Sequence, residues 1–227
     1  MRTLTVAVIS AGLSQPSSTR LLADQLADAT RRAAALRGDR VEVINLELRE
    51  LAHDITNNLL TGFPGVAMQS ATEAVTSADA VIAVTPVFSG SYSGLFKSFF
   101  DVLDSAALAG TPVLLAATGG SARHSLVLDY ALRPLFSYLK ATIVPTGVFA
   151  ATGDFGSDEA GRSLTDRVDR AGMELVALLP AASGGSRGSV SEPVDLAPGP
   201  LQFGGRSLGS SDPFDVVVPF EELLARR

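Results

Sequence analysis

The chain has no cysteine and no tryptophan, and only two histidines and three tyrosines among its 227 residues. Without cysteine, disulfides, thiolate nucleophiles and sulfur-ligated metals are excluded outright. His53 and His124 stand alone, so an imidazole-rich metal centre has no material to be built from. Lys and Arg form no block, and the net charge of −6 is spread along the chain. Phosphate neutralisation needs clustered cations, so nucleic acid is not expected as a partner. No apolar run approaches the roughly 20 residues of a membrane span, and no membrane association is expected. Met1-Arg2 ahead of TVAVISAG resembles the start of a signal peptide. The apolar stretch is only as long as the shortest such region, however, and a Ser/Thr-rich loop follows. A first strand of a soluble, cytoplasmic protein is the expectation. Two glycine fingerprints are also missing. There is no G-x-G-x-x-G and no GK[ST], which weighs against a Rossmann dinucleotide domain and a P-loop.

What is present is 46% hydrophobic residues against 19% charged, enough for one α/β domain with some extra chain. Residues 3–10 are apolar on both parities, as in a strand covered on both faces. Leu22, Leu26, Ala29, Ala33 and Leu36 mark one face of a helix that Gly38 ends. Val41 to Leu46 reads as a second strand, 47–65 as short turns, and 66–77 as a helix. A third strand covers Ala80 to Thr85, a fourth Val113 to Thr118, and a fifth Thr142 to Phe149. A long helix is predicted from Ser121 to about Leu139 and a last one over 161–179. Strands alternating with helices through short links predict a doubly wound parallel sheet with helices on both faces. Ligands bind such sheets beyond the carboxyl ends of the strands where the order reverses. Here the loops after strands one, three and four are the Gly/Ser-rich ones.

The expected domain covers 1–180. Residues 181–227 read as an extension, dense in Gly, Ser and Pro before an apolar end (Phe214, Val216 to Val218, Phe220, Leu223, Leu224). A tail packed on its own or a neighbouring subunit is the favoured reading, and a docking segment the alternative.

In the first loop Ser10, Ser14, Ser17, Ser18 and Thr19 supply hydroxyls and Arg20 a cation at a helix start. That combination suits a phosphate monoester, and exceeds the single hydroxyl a helix cap requires. In the second, Pro86 stiffens the strand exit, Gly90 and Gly94 permit close backbone approach, and Phe88 and Tyr92 offer aromatic surface to a flat ligand. SGSYSG falls short of the nucleophile elbow G-x-S-x-G because Tyr92 holds the serine position. The third loop, Thr118 to His124, again opens a helix, whose N–H groups can meet the polar edge of a ring.

TPVFSGSYSGLFKSFFDVL followed by ATGGSARHSLVLDYALRPLFSYLKA resembles the NAD(P)H-dependent FMN reductases of flavodoxin-like fold. It is particularly similar to the reductase components of two-component flavin monooxygenase systems. The likeness spans about residues 3–150. It implies a five-stranded sheet in the order 2-1-3-4-5. It also implies FMN with its phosphate on Ser10, Ser17, Ser18, Thr19 and Arg20, and its isoalloxazine against Pro86, Val87, Phe88 and Ser89 with Tyr92 nearby. Thr118, Gly119, Gly120 and Ser121 would border the ring's other side. The implied reaction is hydride transfer from nicotinamide C4 of NADPH or NADH to flavin N5. Reduced flavin would pass to a partner flavin-dependent monooxygenase, and no acid–base residue is called for.

The helix from Ser121 carries apolar residues around most of its circumference, beyond the arc of about 100° that one buried face needs. A homodimer or homotetramer is therefore expected, with the helix at Leu95 to Phe100 sharing the interface. Pro134 cannot donate to the carbonyl of Tyr130 and crowds it, which predicts a kink or π-bulge there. Related reductases have such a bulge at a matching tyrosine. Two other readings stay open. One is a flavodoxin-like electron carrier, against which the lack of tryptophan and the modest charge count. The other is a reductase of quinones, azo compounds or metal ions.

Overall fold

Side chains alternate across a strand, so a run that is apolar on both parities must be covered on both faces. The computed structural model, which describes residues 2–156 and 159–180, shows what covers each. From β1 (Thr3–Ser10), Leu4, Val6 and Val8 pack toward α1 (Ser18–Leu36) and α6 (Glu159–Leu178), while Ala7 and Ile9 join the opposite core. The same split recurs in β3 (Ala80–Phe88) and β5 (Pro112–Gly119): Ile82, Val84, Leu114 and Ala116 face α1 and α6, and Val81, Ala83, Val113 and Leu115 face away.

Together with β2 (Arg40–Glu47) and β6 (Thr142–Ile143), these strands form a parallel sheet in the order β2-β1-β3-β5-β6, with β7 (Val148–Ala151) also pairing with β5. The expected order holds once β6 and β7 are taken as the fifth strand. That strand is broken between Ile143 and Val148. Pro145 has no N–H for the ladder, and Thr146 turns its N–H and hydroxyl to the Glu174 carboxylate, both at 2.8 Å.

The far core is aromatic. Phe96 and Phe100 of α4 (Gly94–Asp101) meet Phe136 of α5 (Arg133–Tyr138) and Phe99 meets Phe100, with Phe96–Phe100 and Phe100–Phe136 centroids both 4.8 Å apart. These phenylalanines are consumed by the chain's own core, so the α4 face expected at a subunit interface is not this one. Segment 47–65, expected as turns, contains α2 (Ala52–Thr61), and α3 (Val66–Thr76) follows. Leu36, expected on the buried face of α1, is exposed at the helix's last residue.

The long helix predicted from Ser121 is not one helix. A 3₁₀ turn at Ala122–His124 and a π segment at Leu128–Leu132 precede α5. The missing Pro134 donor leaves the Tyr130 carbonyl without its usual bond, and the bulge predicted there takes up the mismatch. Strand three also runs beyond Thr85, through Pro86 to Phe88, because β4 (Ser91–Tyr92) folds back to pair with it. Among the described residues no helix is long and apolar enough to cross a membrane. The chain divides into two units, Met1–Gly185 and Ser186–Arg227. The extension expected at 181–227 lies outside the described residues.

At Gly172 α6 approaches α1 so closely that a Cβ would stand 2.9 Å from the Ala29 carbonyl carbon and 3.0 Å from Thr30 N. Backbone cannot yield as a side chain can. Gly172→Ala is expected to destabilise the fold by about 1–3 kcal/mol, read as a lower urea midpoint at unchanged slope.

Candidate functional site

The carboxyl ends of β1, β3, β5 and β7 lie along one edge of the sheet, and the segments leaving them enclose a cavity of ≈ 320 Å³. The first wall is Gly12, Leu13, Ser14, Ser18 and Thr19. Ala11 donates its N–H to Val84, and Arg20 donates its own to Ser17 Oγ at 3.2 Å. Between them, among the described residues, no backbone N–H donates to a protein acceptor. Unpaired donors at the positive end of a 19-residue helix make an anion site. The loop folds so tightly that a Cβ on Gly12 would stand 2.0 Å from Ser17 Oγ. Any larger residue there would drive the Ser17 hydroxyl from its cap on Arg20 N.

The second wall is Pro86, Val87 and Phe88. Ser89 (φ 49°) and Gly90 (φ 80°) form the two-residue turn between β3 and β4, both with the positive φ that a type I′ hairpin demands. Thr85 Oγ1, fully buried, accepts from Ser93 N at 3.0 Å and donates to Pro86 O at 2.9 Å. Ser93 in turn caps α4 by accepting from Phe96 N. The hairpin is thereby pinned to the helix that follows it.

The third wall is Thr118, Gly119 and Gly120, and Thr152 closes the far side. A Cβ on Gly119 would meet Phe149 Cζ at 2.9 Å, so the backbone itself forms this surface. Thr19 Oγ1 and Thr118 Oγ1, both buried, lie 2.8 Å apart and join the first wall to the third.

The cavity therefore gathers Ser18, Thr19, Pro86, Val87, Phe88, Thr118, Gly119 and Gly120 from the residues the sequence singled out. Six others lie outside its lining. Ser10 is buried at the end of β1, Ser17 is the helix cap, Ser89 belongs to the turn, and Ser121 precedes the 3₁₀ turn. Arg20 is held at the side by carboxylates: its Nε donates to Asp24 at 2.8 Å and its Nη1 to Glu47. Partial burial acts to lower its pKa, but the hydrogen bond and charge of Asp24, then those of Glu47, leave it raised. Tyr92 lines a different groove of ≈ 610 Å³, with Lys97, Tyr130, Pro134 and Tyr138. Ser14, one of the hydroxyls read from the first loop, also lines the cavity, whereas the sequence assigned no contact to Gly12 and Leu13 and missed Thr152. The signal for Thr152 was its place at the end of the fifth strand, on the edge where the other loops gather.

A doubly wound sheet in this order, with a donor-rich loop after its first strand and a flat apolar wall after its third, has the flavodoxin-like architecture. A family model described as NADPH-dependent FMN reductase matches residues 4–156. NADH-dependent FMN reductase SfnF of Pseudomonas fluorescens is 42% identical over 155 residues, 68% of this chain and 80% of that one. FMN reductase (NADPH) of Pseudomonas aeruginosa is 40% identical over 150 residues, 66% and 78% of the two. The crystal structure of an oxidoreductase from Corynebacterium diphtheriae superposes with a TM-score of 0.77 at 50% identity, covering 79% of this chain and 98% of that one. The chain belongs to the NADPH-dependent FMN reductase family, whose enzymes use FMN and a nicotinamide nucleotide.

The donor loop and glycine-lined wall suit a flavin mononucleotide: one offers N–H groups to an anion, the other backbone to a ring. Ser89 tests the hairpin without touching the cavity. Ser89→Val puts a branched side chain at positive φ and is expected to lower stability by about 1–2 kcal/mol, while Ser89→Gly holds or raises it. FMN affinity should stay the same in both. A silent Ser89→Val would show that the turn is not held as described.

Proposed function

We propose that this reductase takes FMN into the cavity with its phosphate against residues 12–19 and its ring on Pro86, Val87 and Phe88. In this reading reduced FMN leaves for a partner flavin-dependent monooxygenase in the cytoplasm. The observation that carries the placement is the set of unpaired backbone donors on either side of Pro16 at the start of α1. Ser18 and Thr19 add hydroxyls to that set. Gly119 and Gly120 offer backbone to the ring from the opposite wall, with Ser121 just beyond.

Among the described residues, no Asp, Glu, His, Lys or Arg lines the cavity. This supports a reaction in which the chain moves no proton of its own. The chemistry, hydride transfer from nicotinamide C4 to flavin N5, belongs to the cofactor pair. The protein binds, orients and shields. Phe88 is the one aromatic residue of the lining among the described residues, so no pair of rings is there to clamp a flavin. That favours a flavin that exchanges, as supply to a partner requires.

A homodimer or homotetramer is the assembly we propose. Tyr130 and Tyr138 are 79% and 71% exposed beside the ≈ 610 Å³ groove, and Leu126 is 60% exposed nearby in the chain. Large apolar groups gathered on one face favour a covering subunit.

Steady-state oxidation of NADH and NADPH with added FMN tests the activity; no turnover with either would sink the reading. Ser18→Ala is expected to weaken FMN binding about tenfold or more, the loss of one hydrogen bond to a charged group. Unchanged affinity in Ser18→Ala and Thr19→Ala would remove the phosphate from this loop. Tyr130→Asp combined with Tyr138→Asp should move the protein to the monomer position in size-exclusion chromatography.

A further inference from the structure

A hydroxyl group carries one proton and two acceptor sites. When two hydroxyls face each other, one proton lies between them and the other must find an acceptor elsewhere. Thr19 and Thr118 are such a pair, 2.8 Å apart, 2% and 3% exposed, and 99 residues apart in the chain. Among the described residues neither hydroxyl has a second hydrogen-bond partner. Their spare proton therefore has no protein acceptor, yet both residues line the cavity. A buried donor without an acceptor is unfavourable, and the cavity is where one can be supplied.

The two possible directions of the pair predict different ligand contacts. If Thr118 donates to Thr19, the spare proton is on Thr19, which lines the cavity at the loop of free N–H groups. If Thr19 donates to Thr118, the spare proton is on Thr118, beside Gly119 and Gly120 in the cavity lining. The loop at α1 already concentrates donors, and an anion there, which only accepts, draws the Thr19 proton toward itself. Thr118 is held in place for its part: in β5 it lies opposite Pro86 of β3 on one side and Ala150 of β7 on the other.

We propose that Thr118 is a positioning residue for the phosphate. Its hydroxyl donates to Thr19 and so commits the Thr19 proton to a phosphate oxygen, making the pair a selector for FMN over riboflavin. The proposal rests on the phosphate placement given above. It adds that a residue on the ring-side wall sets affinity at the other end of the ligand.

Titrating FMN and riboflavin into the full-length protein and its Thr118→Val, Thr118→Ser, Thr19→Val and Thr19→Val/Thr118→Val variants tests this. Urea midpoints serve as the folding control. Thr118→Val is expected to weaken FMN binding about tenfold and to leave riboflavin within about twofold. Thr118→Ser should restore the FMN value. The double variant, in which both partners become apolar together, should keep its fold and bind FMN no worse than Thr19→Val alone. Equal losses for FMN and riboflavin in Thr118→Val, or losses that simply add in the double variant, would overturn the relay. A wild-type protein that binds riboflavin as tightly as FMN would instead overturn the phosphate placement itself, and the relay with it.

Discussion

Everything at this site depends on three adjacent strands, β1, β3 and β5, being buried on both faces. Apolar side chains of both parities leave no solvated face, so α1 and α6 must cover one side and the aromatic helices the other. Polar groups are then displaced to the sheet's edges, and at the carboxyl edge the chain leaves each strand through a short loop. The backbone donors of those loops have no ladder to join. A cavity lined by N–H groups, glycines and hydroxyls is the product of that burial.

The sheet was legible because its pattern is strong. β1 and β3 are short, apolar and rich in β-branched residues, and β5 is a short apolar run between Pro112 and Gly119. The disruption at Tyr130 was legible for a sharper reason: one proline removes one identifiable donor. The break in the fifth strand was not, because it depends on Glu174, 28 residues downstream of Thr146 yet hydrogen-bonded to it in the fold. Such a partner has no local signature.

Within the site, the loops were legible and the individual roles less so. Composition marked residues 10–20 as rich in hydroxyls, but could not say which hydroxyl caps the helix, which faces a partner, and which faces the cavity. Ser17 caps, Thr19 pairs with Thr118, and Ser18 lines the cavity. Tyr92 shows the same limit in a strand. In a two-residue β4, one position of register decides between two grooves, and Tyr92 lines the one it shares with Tyr130 and Tyr138, its ring 6.1 Å from that of Phe96.

The pairing of Arg20 with two carboxylates has a consequence for the encounter of the enzyme with its ligand. One guanidinium shared by Asp24 and Glu47 offers the donor loop no free cation, and Arg49 donates to Leu13 O at 3.4 Å, on a chain whose net charge is −6. The attraction of the helix start for an anion is confined to its first turn, whereas the repulsion reaches out over a Debye length. An anionic nucleotide is thus resisted at a distance and held at contact. Salt, which screens the first effect more than the second, should quicken its arrival, the reverse of ordinary electrostatic steering.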